Sequence, residues 1–116
     1  MADLPEDPRR FVEDWLDAFN RRDWDAYAAF FAEDVTYLTP GRAEPLLSRE
    51  AHLEQDRANA GSARLEASLV IAADNGRLLA VEGTFRDGAR TSRWVTILER
   101  RDGLIAAERL YFDRAG

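Results

Sequence analysis

The chain has no cysteine and no lysine, and it has one histidine and one methionine in 116 residues. Without cysteine there is no thiol nucleophile, no disulfide and no cysteine-ligated zinc or iron–sulfur site. Without lysine there is no Schiff-base chemistry and no P-loop lysine. All 16 basic residues are arginine, a bias of the kind that GC-rich bacterial genomes impose, actinobacterial ones among them. A single imidazole, His52, leaves no histidine-rich metal site, so no metal and no cofactor is expected. The G-x-S-x-G elbow and the G-x-G-x-x-G loop are missing as well. No apolar run approaches the ~20 residues of a membrane span. The start, MADLPEDPRR, has acids and prolines where a signal peptide needs an apolar stretch. A net charge of −6 offers no basic field to nucleic acid or anionic membrane. A cytoplasmic protein is expected, with any chemistry left to carboxylates, hydroxyls, arginine, tryptophan and one imidazole.

What is present fits one modest core, with 46 % apolar residues in a chain of single-domain length. Residues 1–7 read as a disordered tail and 8–116 as a single domain. Asp7 is a natural N-cap and Pro8 suits the first helical position. Phe11, Trp15 and Phe19 recur at i, i+4, i+8 beside Val12 and Leu16, which predicts a helix with one broad apolar stripe. Asp23 caps a second helix whose Trp24, Tyr27 and Phe31 share a face. A short strand, 35–38, follows and stops at Pro40-Gly41. Residues 45–47 read as a short edge strand. Ser48 caps a third helix over 49–60, with Gly61 as its terminator. That helix is weakly apolar, so it is expected to lie over an opening rather than in the core.

Three turn signals, Asn75-Gly76, Asp87-Gly88 and Asp102-Gly103, divide the remainder into strands near 64–73, 77–86, 90–100 and 104–113. Helices first and an antiparallel meander second give an α+β class: three N-terminal helices packed on a curved antiparallel sheet, a cone-shaped barrel with a pocket. Trp94, Thr96 and Leu98 fall on one sheet face, Val95 and Ile97 on the other. Helices can cover only one of two partly apolar faces. A second copy packed sheet to sheet is the simplest cover for the other, so a homodimer is expected.

Two segments carry a family resemblance: FNRRDWDAYAAFFAEDVTY (19–37) and DGLIAAERLYFD (102–113). They make the chain similar to the nuclear transport factor 2-like superfamily, in its SnoaL-like polyketide-cyclase and ketosteroid-isomerase branch. The resemblance implies a cone whose pocket lies between the helices and the concave sheet face, and a dimeric habit. It does not imply one reaction, since the fold hosts isomerases, cyclases, dehydratases, hydrolases and non-catalytic binders. The isomerase works with a carboxylate base and with a tyrosine and a protonated aspartate as donors, as the established description of that enzyme has it. Laid on that pattern, the base falls at Thr39, the acid donor at Thr96 and the tyrosine at Trp15, so all three roles are lost. The cyclase branch instead implies an acidic general acid/base without a metal.

Four residues are candidates for that role: Glu108, Asp113, Asp56 and His52. Leu104, Ala106, Glu108, Leu110 and Phe112 alternate on one strand face, and a carboxylate on such an apolar face is suited to proton transfer. The competing reading pairs Glu108 with one of the 16 arginines. Asp113 matches the aspartate that often closes this branch's last strand, and otherwise reads as a strand end. His52 and Asp56, at i and i+4 on the third helix, share a face, and the family pattern turns Asp56 toward the cavity. The plainer reading is a solvated helix pair. Trp15, Phe19, Tyr37, Gln55, Trp94, Thr96 and Phe112 are the candidate substrate-binding residues. Walls of tryptophan and phenylalanine suit a flat or polycyclic apolar small molecule. A cofactor-independent enzyme doing cyclisation, isomerisation, dehydration or hydrolysis is therefore expected, with a non-catalytic binding or dimerisation module as the alternative.

Overall fold

A computed structural model describes residues 4–39 and 42–112. The first helix, α1 (Pro8–Asn20), is held at its start by the Asp7 carboxylate, which accepts from the Arg10 amide. Its stripe of Phe11, Val12, Trp15, Leu16, Ala18 and Phe19 is buried. Leu4, ahead of the helix, packs against the same core. Arg22 then takes a left-handed backbone conformation, φ 59°, and turns the chain. Asp23 caps α2 (Trp24–Ala28) by accepting from Ala26 N–H.

That second helix is only five residues long. Phe31, placed on its face by the sequence pattern, instead opens β1 (Phe31–Leu38), where it sits opposite Ile105. Pairing with β5 satisfies the backbone groups of this buried segment. Tyr37 in turn exchanges both backbone hydrogen bonds with Leu46, so the edge strand expected over 45–47 is reduced to a single bridge. Ser48 caps α3 (Arg49–Ala60) through Ala51 N–H.

Four strands complete the domain: β2 (Arg64–Ala73), β3 (Leu78–Asp87), β4 (Arg90–Arg101) and β5 (Leu104–Phe112). Asp102 and Gly103 both take positive φ, as a two-residue hairpin of the primed type needs. The sheet order is β1-β5-β4-β3-β2. Two corrections to the expected architecture follow. The sheet is mixed, because β1 runs parallel to β5. It is also open: β1 and β2 are its two edges and do not meet. The cone is closed by helices, with α1 against β2 and α3 against β1.

The concave face carries Leu79, Val81, Trp94, Leu98 and Ile105, all buried. Trp94 lies across Gly83, and a methyl there would collide with the indole and with the Glu66 carbonyl. The convex face leaves Leu69, Ile71, Val95, Ile97 and Tyr111 exposed. Register shifts between Glu99 and Arg100, opposite Ala106, and this bulge resets the parity of β5. Ile105, not Leu104 or Ala106, therefore shares the inner face with Glu108, Leu110 and Phe112. No helix among the described residues is long and apolar enough to cross a membrane.

Candidate active site

A cavity of about 240 Å³ lies between the helices and the concave face. Helix α1 contributes Trp15 and Phe19, and α3 contributes Gln55 and Asp56. Tyr37 comes from β1, Trp94 and Thr96 from β4, and Glu108 and Phe112 from β5. The structure thus brings together all seven expected binding residues and two of the four expected acid/base residues along one cavity wall or another. His52 sits just behind that wall. Asp113 lies outside the described residues. Phe112 and Asn59 are exposed and mark the mouth, while Tyr37, Thr96 and Glu108 are buried at the floor.

His52 organises the floor. It is 1 % exposed and stands between Phe31 and Tyr37, whose ring stacks on the imidazole at 3.8 Å between centroids. Its Nε2 lies 2.8 Å from Glu108 Oε1 and its Nδ1 2.8 Å from Asp56 Oδ2. The Nδ1 contact is off the N–H axis, so it is an ion pair rather than an aligned hydrogen bond. With a carboxylate at each nitrogen, the ring carries both protons. Burial opposes that charge, but Asp56 and then Glu108 outweigh it and push His52 up to about 10. The imidazole is a fixed cation at neutral pH, not a titrating shuttle. The solvated reading of the His52–Asp56 pair is thereby overturned: α3 turns this polar face inward, against β1 and β5.

The two carboxylates differ in what is left free. Glu108 has both oxygens engaged, Oε1 with His52 and Oε2 with the Thr96 hydroxyl at 2.9 Å. Its partner is the histidine, not an arginine. Asp56 receives both of its contacts on one oxygen: Tyr27 O–H donates to Oδ2 at 2.7 Å, and His52 faces the same atom. Its Oδ1 makes no hydrogen bond among the described residues, and its side chain is 13 % exposed. Tyr27 also lines the cavity; the sequence pattern marked it only as part of the shared face of the second helix. Burial, then Asp56 and Glu108, raise its pKa well above the usual phenol value, so it stays a donor. A buried tyrosine needs a partner for its hydroxyl, which is the signal that could have found it.

The donors of Asp56, His52 and Glu108 point at one another, and among the described residues no group of three could hold a metal ion. The arrangement holds a carboxylate with one free oxygen against a largely aromatic cavity, with a buried imidazolium behind it. Such a carboxylate can take a proton from a bound molecule and return it.

Three helices laid over the concave face of an open mixed sheet, with a pocket between them, define a nuclear transport factor 2-like, ketosteroid-isomerase-like fold. Within that class the chain belongs to the SnoaL-like domain family, whose model matches residues 12–108. Among solved structures it is similar to a candidate ketosteroid isomerase of Kribbella flavida, with 28 % identity over 90 % of this chain and 76 % of that one, at a TM-score of 0.81. It is also similar to a candidate polyketide cyclase of Xanthomonas campestris: 27 % identity, 88 % and 87 % coverage, TM-score 0.73. An LEH-like epoxide hydrolase of M. tuberculosis shares the fold at 22 % identity, with 88 % and 79 % coverage and a TM-score of 0.70. No curated protein matches the chain.

Proposed function

We propose that the protein is a cofactor-independent enzyme that performs general acid/base chemistry on a neutral, oxygen-bearing apolar molecule, with Asp56 as the proton carrier. The observation that carries this reading is the Asp56–His52–Glu108 line, buried at His52 and Glu108, which leaves one oxygen of the partly exposed Asp56 free at an aromatic cavity. In a ring closure of the aldol type, Asp56 takes a proton from a carbon beside a carbonyl. The C–H electron pair becomes the enolate, which attacks a second carbonyl, and the proton returns to the new alkoxide. Glu108, held by Thr96 and His52, acts through the imidazolium and keeps it in place. Relatives described as a candidate ketosteroid isomerase, a candidate polyketide cyclase and an LEH-like epoxide hydrolase are consistent with acid/base work of this general kind.

A thermal-shift screen of polycyclic aromatic, steroid-like, terpenoid and small polar compounds identifies the ligand class. Product analysis then compares the wild type with Asp56→Asn and Glu108→Gln. Loss of turnover with retained binding in Asp56→Asn is the expected result; unchanged turnover rejects the assignment. A non-catalytic binding module is the second reading, favoured by the full engagement of Glu108 and of both His52 nitrogens inside the protein. Saturable binding without product would support it. The exposed apolar side chains of the convex face further support a homodimer formed sheet to sheet.

A further inference from the structure

We infer that the cavity also takes a small organic cation of the tertiary or quaternary ammonium type, held against the free Asp56 oxygen within the aromatic walls. The inference goes beyond the acid/base reading, because it uses the charge of Asp56 and not proton transfer by it. A cation bound this way pairs with the oxygen that would accept a proton. It occupies the site as a ligand and not as a substrate.

Charge favours such a ligand. Two carboxylates, Asp56 and Glu108, share one imidazolium. Glu108 is buried, and its second oxygen accepts from the Thr96 hydroxyl, so its charge is matched inside the floor. Asp56 keeps Oδ1 without a hydrogen bond among the described residues and is partly exposed, which puts the excess negative charge on the cavity side. No arginine among the described residues lines the cavity. Arg22 lies over the Phe19 ring and Arg57 over the Trp24 ring. Arg22 spends its donors on the carbonyls of Phe19, Ala60, Gly61 and Ala63. The net charge of −6 adds a long-range attraction for cations.

The walls favour the same ligand. Seven of the lining side chains are aromatic. The face of an aromatic ring is negative and draws a cation, that of tryptophan most strongly. Trp15 and Trp94 line the cavity, but their N–H groups are buried in the wall without an acceptor, so these rings meet the cavity through carbon and not through a donor. Trp15 stacks with Tyr27 at 6.2 Å between centroids, and the Tyr27 hydroxyl lies 2.7 Å from Asp56, which sets an indole and a carboxylate along one wall. An anion meets the reverse situation: both His52 nitrogens and the hydroxyls of Tyr27 and Thr96 already face carboxylates. A primary ammonium brings three donors to one free carboxylate oxygen. Methyl groups on nitrogen instead spread the charge over ring faces.

The test uses choline, its neutral isostere 3,3-dimethylbutan-1-ol and the anion 3,3-dimethylbutanoate, with binding followed by tryptophan fluorescence. Wild type is expected to bind choline about tenfold more tightly than the alcohol, the scale that one cation–π contact and one ion pair give together. The butanoate should bind more weakly than the alcohol. Asp56→Asn should remove most of the preference for choline and leave alcohol affinity unchanged, while Asp56→Glu, which keeps the charge, should retain it. In wild type alone, the N-methyl protons of bound choline should move upfield in NMR and show nuclear Overhauser contacts to indole protons. That readout places the cation over the rings whether or not the variants fold. Equal affinity for choline and the alcohol, a full preference surviving in Asp56→Asn, or no choline binding to the folded wild type would overturn the inference. Turnover of a neutral ketone without a preference for choline would overturn this inference alone. Choline binding without any turnover would leave it standing while the acid/base reading fails.

Discussion

His52 is the residue on which the site's electrostatics turn. Its folded pKa lies at about 10, above the ordinary value of 6.5, because two carboxylates outweigh burial. A raised pKa means that the folded state holds the proton more tightly than the unfolded chain. The resulting stability is fully present below pH 6.5 and is lost as pH rises through about 10. The melting temperature should therefore fall between those values, reflecting several kcal/mol at most. Asp56→Asn should flatten the slope, and imidazole NMR shifts should report a doubly protonated ring at pH 8. A melting temperature flat across this window would rule the imidazolium out. Gly83 is a second test. A methyl there strikes the Trp94 indole and the Glu66 carbonyl, so Gly83→Ala should cost about 1–3 kcal/mol in urea unfolding. Most residues that line or back the cavity were legible from sequence as types: aromatic walls, a lone imidazole, a carboxylate among apolar neighbours. The burial of His52 was not, because a helix as polar as α3 reads as solvated unless one knows which face the sheet covers.

At the scale of elements, the cavity depends on how α3 is anchored. Arg22 at the α1–α2 corner donates to the Phe19 carbonyl and to those of Ala60, Gly61 and Ala63, at 2.7–3.4 Å. It ties the end of α3, and so Asp56 and His52, to the helix that walls the cavity. Arg22→Ala should lower stability by about 2 kcal/mol, as expected when charged hydrogen bonds to part-buried carbonyls are lost. It should also weaken ligand binding, read by the same denaturation and fluorescence titrations. Unchanged stability would mean that these bonds contribute nothing net. The helices and hairpins were legible from caps, apolar spacing and Asp-Gly turns, since those signals are local. The bulge at Ala106 was not, because a bulge is set by the partner strand. Without it, Leu104 and Ala106 would share the face of Glu108. With it, Ile105 does. The parallel β1–β5 pairing is likewise a long-range match that no local pattern encodes.

For the whole molecule, the open sheet leaves exposed apolar side chains on its convex face, where we propose that a second copy packs. Ile97, between Ala80 and Arg109 on neighbouring strands, is central to that face. Sedimentation should give a dimer for the wild type and a monomer for Ile97→Arg; a monomeric wild type would contradict the sheet-to-sheet assembly. On the concave side, we propose that Asp56 moves protons to and from a molecule bound in the cavity. Hydrogen–deuterium exchange at the carbon beside the carbonyl of 1-tetralone, followed by NMR in heavy water, tests it most directly. Removal and return of that proton need no further substrate, and partly exposed Asp56 can renew its deuteron from solvent. Wild type should accelerate the exchange well above the buffer rate and Asp56→Asn should not. Exchange at the buffer rate in wild type, or equal exchange in the variant, would rule out Asp56 as the proton carrier.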